Sequence, residues 1–490
     1  MRLSPRLLVV VVALCGLATS APAQTAPETV RVRLLDRQAP SRVTVEADGP
    51  LYVSVDGADR GAALGGTPLT LSARGAEARA EFGGADLSAG EIRLTGERLR
   101  VRAAGVDRVY AGALVAFVEG GRLRLVNHTP TEPYVASVVA SEFGFNALEG
   151  AKAQAVLART YAARRAGQHA RHDLDDHTGS QVFHGIDAAT DVARRAAHET
   201  AGEVLAYRGQ LADAFYFSSS GGHTADNDAV WSGQPLPYLR GVPDPYDQGA
   251  PDHTWQTTAS RSAVLRALSS EVGGSVTGLE VTRRSRSGRV LEIRAIGGRR
   301  GTLTGPQFRR AVNAVAGGRT VRSTRFEVSV SGDRYVFTGS GFGHGVGLSQ
   351  YGALGQSQQG RTYRQILGHY FQGTEVSGTA PFAAPLLVAT AADAPARTQP
   401  TPRHRADRVA EPGDAAQAIP REPSSLRTRY LPASGRRWPT PRRETRESAD
   451  PPADVRERVE LPARPAAPVV AARRDADTPD ESTPRRRTAW

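Results

Sequence analysis

The residue whose type and placement most invite chemistry is Glu142. From Thr131 the chain reads TEPYVASVVASE, in which Thr131 suits a helix cap, Pro133 suits a first turn, and Val135, Val138, Val139 and Glu142 recur at i, i+3, i+4 and i+7. That period sets the carboxyl group on the apolar face of a short helix, ended by Phe143-Gly144-Phe145. A carboxyl held against valines and phenylalanine has its neutral form favoured, which is the state a general acid needs near neutral pH. The bland alternative is a helix-end glutamate that reaches solvent or pairs with an arginine, and spacing alone leaves both open.

A second candidate is GSGFGHGVGLSQYG, residues 339 to 352, with glycine at every second position from Gly339 to Gly347 and His344 among them. Alternation is the period of a strand, so the expectation is an extended segment with one bare face past which a ligand or another backbone runs. His344 then either bonds Glu142 or substrate, or is a histidine satisfied in a turn. Ser218, Ser219, Ser220 and Thr224, in FSSSGGHT, read as polar lining of a pocket; no base is visibly paired to a serine, so a serine nucleophile is not expected. His169, His172, His177 and His184 stand among Asp173, Asp175 and Asp176. None of these histidines has the i, i+4 spacing of HExxH and no cysteine joins them, so a loop of solvated histidines is expected there rather than a metal site.

These groups need a scaffold, and the patterning supplies one. Residues 29 to 126 alternate apolar and polar residues in short runs broken by glycine (TVRVRLL, SRVTVEA, LYVSV, EIRLTG, RLRLV), the signature of a β-rich lobe. After the Glu142 helix comes ALEGAKAQAVLARTYAARRA, whose Ala147, Ala151, Ala155, Ala158 and Ala162 form a stripe that lets two helices approach closely. A third helix is expected over Ala188 to Glu203, and further ones near Ser260 to Leu268, in TGPQFRRAVNAV and over Tyr363 to Phe371, with strands in GLEVTRRS, RVLEIRAI and RFEVSVSG. Between them, DNDAVWSGQPLPYLRGVPDPYD suits an ordered loop that stacks on a sugar or covers a core. The fold class is α+β.

The ends carry different signals. Arg2 and Arg6 precede an apolar run from Leu7 to Leu17 and then Ala21-Pro22-Ala23, which reads as a secretory signal peptide over residues 1 to 23. The run is shorter than the roughly twenty residues a membrane-spanning helix needs, so no stable membrane anchor is expected. The one cysteine, Cys15, lies inside that segment, which leaves the mature chain without disulfide or thiolate chemistry. From about Thr379 the composition turns to Ala, Pro, Arg, Asp and Glu, the signature of a disordered tail over 378 to 490. The formal charge of +12 belongs in part to these ends, and its mixed signs there argue against a nucleic-acid arm. A basic exported chain fits anionic polymers of the cell envelope better.

Several stretches together resemble the SpoIID/LytB family, the stage II sporulation protein D type of cell-wall enzyme: NHTPTEPYVASVVASEFGFNALEGAKAQAVLARTYA, SQVFHG, AFYFSSSGGHT, AVWSGQPLPYLRGVPDP, RSRSGRV, GSGFGHGVGLSQYGA and YRQILGHYFQGTEV. They follow in the family's order over roughly residues 105 to 376. The resemblance implies a lytic transglycosylase of peptidoglycan, secreted or held in the periplasm or cell envelope, that cuts between N-acetylmuramic acid and N-acetylglucosamine and leaves a 1,6-anhydro end. The family's glutamate in a Val-Val-x-x-Glu context falls on Glu142. His344, Ser349, Gln350, Tyr351, Ser219, Ser220, Thr224 and Tyr134 are the implied substrate-binding set. No cofactor is implied, and the cysteines that hold zinc in certain relatives are missing near Ser180, so metal binding is not carried over. The implied layout is a β-rich lobe over 24 to 104, then a catalytic domain over 105 to 377 whose helical segment and mixed α/β part surround a glycan groove. The partners are glycan strands, intact or stripped of peptides, and no nucleic acid. The alternative from the same family is a non-catalytic wall-binding protein that enhances an N-acetylmuramoyl-L-alanine amidase, and a third reading is a water-using hydrolase with Asp244 as second carboxylate.

Overall fold

Strict alternation in the first hundred residues produces strands buried on one face only: Thr29–Leu34 and Arg42–Ala47 each bury every second side chain. Seven strands form one sheet in the order 174–175, 29–34, 122–130, 113–119, 91–95, 51–55, 58–63, and six form another in the order 106–110, 99–103, 42–47, 69–74, 77–82, 85–89. Their inward faces share a core that includes Val32, Val45, Leu71, Ile92, Leu94 and Val101. Strands on either side of residue 104 interleave in the seven-stranded sheet, and strand 106–110 forms an edge of the other. This computed structural model describes residues 26 to 378 apart from Ser232; the expected signal peptide and tail lie outside the described residues.

The architecture is α+β. Strand Arg122–Pro130 runs without a loop into helix α1, Thr131–Glu142. Thr131 is the first helical residue rather than the cap; its N–H donates to the Glu28 carbonyl at 3.0 Å and its hydroxyl to the Pro27 carbonyl, so the sheet's first strand fixes the direction in which α1 leaves. Helix α2, Leu148–Arg165, buries Ala151, Ala155, Ala158 and Ala162 as the alanine stripe implies. Then come α3, Asp191–Glu199, the single turn α4, Asn227–Val230, α5, Arg261–Val272, α6, Gly305–Ala316, α7, Gln350–Gln358, and α8, Tyr363–Tyr370. A second core, built on Trp255, Phe308, Phe326 and Phe337, packs α5 and α6 against strands between 254 and 340. Thr304 and Gln307 close a reciprocal capping box at the start of α6. Among the described residues no helix is long and apolar enough to cross a membrane.

Two expectations are corrected. The histidine-rich segment is only in part a solvated loop: His169 and His184 are exposed, but Leu174–Asp175 adds to the large sheet parallel to Val32 and Arg33, Asp173 pairs with Arg31 at 2.7 Å, Asp175 pairs with Arg33 at 2.8 Å, and buried Asp176 accepts the Leu35 N–H at 3.1 Å. The aspartates are sheet anchors, and His169 stacks on His172 beside them. No group of metal-ligating side chains comes together among the described residues.

Nor is the glycine-alternating segment a strand. Only Gly339 and Ser340 belong to strand Arg334–Ser340; Gly341, Gly343, Gly345 and Gly347 all take positive φ, between 76° and 113°, so the period-two pattern encodes repeated left-handed residues. Their bare sides are covered by protein. A Cβ on Gly347 would lie 2.2 Å from the Phe215 carbonyl oxygen, and one on Gly345 would lie 2.4 Å from the buried Arg289 guanidinium carbon. Gly347→Ala is expected to cost about 3 kcal/mol in chemical denaturation, since the backbone strain is joined by a clash with a carbonyl that has nowhere to move. Gly360→Ala, at φ 77° but in open space, is expected to cost only about 1 kcal/mol.

Candidate active site around Glu142

α1 is pinned at both ends. In its first turn Glu132 receives both arms of Arg159, at 2.9 and 2.6 Å, from a guanidinium wholly buried in the middle of α2. Arg159 also donates to the Glu203 carbonyl at 2.9 Å, and the Gly202 N–H donates to Glu132 at 3.2 Å. Arg159 is buried although Glu132 is partly exposed, so removing Glu132 would leave an uncompensated buried charge, and the contact fixes the helix. At the other end Phe143 and Gly144, the latter at φ 58°, turn the chain back with both N–H groups on the Val139 carbonyl.

Glu142 is the last residue of α1, half-buried beside fully buried Val135, Val138 and Val139. No basic residue stands in that last turn, and among the described residues no cation pairs with the carboxyl. The negative end of the helix dipole therefore acts on it unopposed. One oxygen accepts the Val182 N–H at 2.9 Å, and the Gln350 side chain also bonds the carboxyl. Burial pushes the Glu142 pKa above the ordinary carboxyl range, and these two bonds, which favour the anion, hold it back only in part. The group is poised between a stable acid and a supported carboxylate.

The Val182 donor is set by its neighbours. Phe183, fully buried, packs its ring 5.6 Å from Tyr110 and 5.1 Å from Tyr134, while Gln181 accepts the Tyr134 hydroxyl at 2.8 Å and donates to the Tyr216 hydroxyl at 3.1 Å. Val182, Gln181 and Tyr216 are functional candidates that spacing did not single out. Their signal lay in the words SQVFHG and AFYFSSSGGHT, where nothing marks one residue over another. On the open side, Tyr351 is half-buried, with its ring 5.0 Å from Phe145, which meets Phe143 at 4.9 Å. Gln350, at the start of α7, is buried and reaches Glu142, and Tyr351 next to it meets Phe145.

The rest of the expected substrate set lies deeper. Ser219 donates to Asp247 at 2.7 Å, Ser220 accepts the Gly222 N–H at 3.0 Å, Thr224 accepts the Val242 N–H at 2.8 Å, and Ser349 caps α7 by accepting the Gly352 N–H at 3.1 Å. All four are buried, as is Tyr134, so these side chains brace the loops behind the site. His344 accepts the Val346 N–H on Nδ1 at 3.1 Å, so the proton sits on Nε2 and goes to the Tyr216 carbonyl at 3.0 Å. Both nitrogens are occupied. Burial, together with Arg289 and Arg309, takes this imidazole down to about 3, so it stays neutral. Asp244 has no exposed surface and lies against Tyr370 and Gly352; burial and Asp247 raise it to about 6. A carboxyl sealed in that way has no access to a glycosidic bond, which removes Asp244 as a second carboxylate. Two cavities of about 630 and 350 Å³ lie on the described surface, and Glu142 lines neither.

A family model described as Stage II sporulation protein, SpoIID, matches residues 119 to 207, which hold α1, Glu142, α2 and Gln181–Val182. A second, described as a domain of unknown function (DUF8618), matches residues 247 to 347, which span the second core. The chain is similar to stage II sporulation protein D of Bacillus amyloliquefaciens, 32% identical over 270 residues covering 51% of this chain and 75% of that protein. The corresponding protein of Bacillus subtilis (strain 168) is 31% identical over 272 residues, covering 51% and 76%. The amidase enhancer of Bacillus subtilis (strain 168) is 27% identical over 278 residues, covering 47% of this chain and 38% of that protein.

The raised carboxyl has a stability consequence. Ionisation is harder in the folded than in the unfolded chain, so the penalty is absent below the ordinary carboxyl range and grows as pH rises through the elevated folded pKa. Glu142→Gln, which keeps an oxygen for the Val182 N–H, is therefore expected to raise the melting temperature at neutral pH and to leave it unchanged at pH 3, read as paired thermal melts.

Proposed function

The chain belongs to the SpoIID family, and from that membership we propose that it is a peptidoglycan lytic transglycosylase in which Glu142 serves as the single general acid and base. The observation that carries the reading is a half-buried carboxyl at a helix end, raised by burial, with no cationic partner among the described residues and with two donors ready for its anion. Protonated Glu142 gives its proton to the glycosidic oxygen as the bond from C1 of N-acetylmuramic acid breaks. The carboxylate so formed is supported by Val182 N–H and Gln350, and it takes the proton from the C6 hydroxyl as that oxygen closes on C1. The product is a 1,6-anhydro end, no water is consumed, and the acid is restored. One carboxyl suffices because the nucleophile belongs to the substrate, which fits the seclusion of Asp244. Tyr351 and Phe145 offer an aromatic wall to a sugar face beside the carboxyl. His344 serves as a brace, since both its ring nitrogens are committed.

The substrate is the glycan strand of the wall, intact or stripped of peptides, and the setting is outside the cytoplasm. Similarity to the amidase enhancer supports a second reading, a wall-binding partner of an amidase that cleaves no glycan itself. Purified chain incubated with denuded glycan distinguishes them by mass spectrometry. Anhydro-muramic ends are expected, with a rate that falls as pH rises past the Glu142 pKa because the acid form is consumed, and Glu142→Gln is expected to slow formation at least about 100-fold. Reducing ends would indicate hydrolysis, and equal product from the variant would remove Glu142 from the chemistry.

A further inference from the structure

Behind the strand that carries Tyr216 lies the smaller cavity, of about 350 Å³, walled by Val230, Trp231, Pro306, Arg309, Asn313 and His344. It is separate from the Glu142 site because successive residues of the strand point to opposite sides. Tyr216 reaches Gln181 on the Glu142 side, whereas Phe215 and Phe217 meet the His344 ring, at 6.4 and 5.4 Å. Trp231 is held on two sides, 4.7 Å from Phe215 and 5.1 Å from His344, yet remains 38% exposed. An indole clamped in that way is a rigid platform that loses little entropy when a ligand covers it.

The charge at this cavity is one-sided. Elsewhere in the fold the wholly buried Arg159 has a carboxylate, Glu132. Arg309 is half-buried, its Nε is spent on the Val321 carbonyl at 3.0 Å, and among the described residues no carboxylate offsets the burial that lowers it. Arg289 does not line the cavity but lies against Gly345, next to His344; only 1% exposed, it leaves Nε and Nη1 without a partner among the described residues, and burial with the fields of Arg325 and Arg309 brings it to about 9. The carboxylate that acts on Arg289, Asp247, is already committed to Ser219, Gly221 and His253. Buried cations are normally paired, so this cluster is short of an anion. Asn313 has both ends of its amide on the Val321 backbone and His344 is neutral; of the two cations on the wall, Arg310 pairs with Glu271 at 3.5 Å, whereas Arg309 has no carboxylate among the described residues and is the group suited to an acid.

We propose that this cavity binds an anionic carbohydrate, a pyranose ring bearing a carboxylate, with the ring stacked on Trp231 and the carboxylate on Arg309. The volume suits one sugar residue. The choice of sugar rests on the reading of the chain as a glycan-acting protein, whereas the preference for an acid rests on Arg309, which no carboxylate meets among the described residues.

Calorimetric titration of the full chain at low salt with N-acetylmuramic acid, glucuronic acid and neutral N-acetylglucosamine tests the site. At least one acid is expected to bind about tenfold more tightly than the neutral sugar. Binding of both acids would mean that any sugar carboxylate suffices, and binding of N-acetylmuramic acid alone would assign its lactyl group. Arg309→Gln is expected to abolish the preference, Arg309→Lys to keep part of it, and Trp231→Ala, at an exposed position, to weaken every sugar. Equal binding of the neutral sugar, no binding of either acid, or a preference that survives Arg309→Gln would overturn the proposal. Glu142→Gln is expected to bind the acids as the parent does. Loss of binding in that variant would move the ligand to the Glu142 site and end the claim of a separate one, whereas intact binding without glycan cleavage by the parent would leave this site standing and remove only the enzymatic reading.

Discussion

A carboxyl group kept partly out of water at the negative end of a helix is the constraint on which the structure turns. Left to itself, such a group would rotate to solvent or recruit an arginine, and this chain is rich in arginines. Instead α1 is anchored so that Glu142 cannot leave its place. Its first turn is clamped by Arg159 and its inner face buries three valines, while its start is bonded to the segment that opens the first strand. The donors that meet the carboxyl come from two distant stretches, the backbone at Val182 and the side chain of Gln350. Each is locked from behind, Val182 by Phe183 and Gln181, Gln350 by the Ser349 cap of α7.

The glycine-rich segment belongs to this support. Four left-handed glycines let residues 341 to 347 thread against the 215–220 stretch and over Arg289, delivering Leu348–Ser349 into parallel pairing with Tyr216–Phe217. That pairing sets where α7 begins and therefore where Gln350 and Tyr351 stand. A side chain at any of the four positions would displace α7 and, with it, the donor to Glu142. The fixed neutral His344 stitches the same two stretches together, and so connects the site in front of the strand with the cavity behind it.

Much of this was legible in the residues. The valine spacing put Glu142 on an inward face, the alanine stripe announced a close helix pair, and one-sided alternation announced the strands. These are local periodicities, and local periodicity survives folding. What could not be read was the destination of polar side chains whose partners lie far away in sequence. Ser219, Ser220, Thr224 and Ser349 looked like pocket lining because hydroxyls beside glycines commonly are. Here they satisfy buried backbone and Asp247 instead. The aspartates among the histidines were likewise claimed by arginines about 140 residues earlier. The glycine period was visible but ambiguous, because a repeat of two fits both a pleated strand and alternating left-handed residues. Val182 was invisible in principle, since a backbone donor leaves no trace in residue type.

The central claim concerns the proton on Glu142. Difference infrared titration of the folded chain against Glu142→Gln follows the protonated carboxyl band of that one residue. An apparent pKa clearly above the ordinary carboxyl value is predicted for it, and a value at or below the ordinary one would contradict the account.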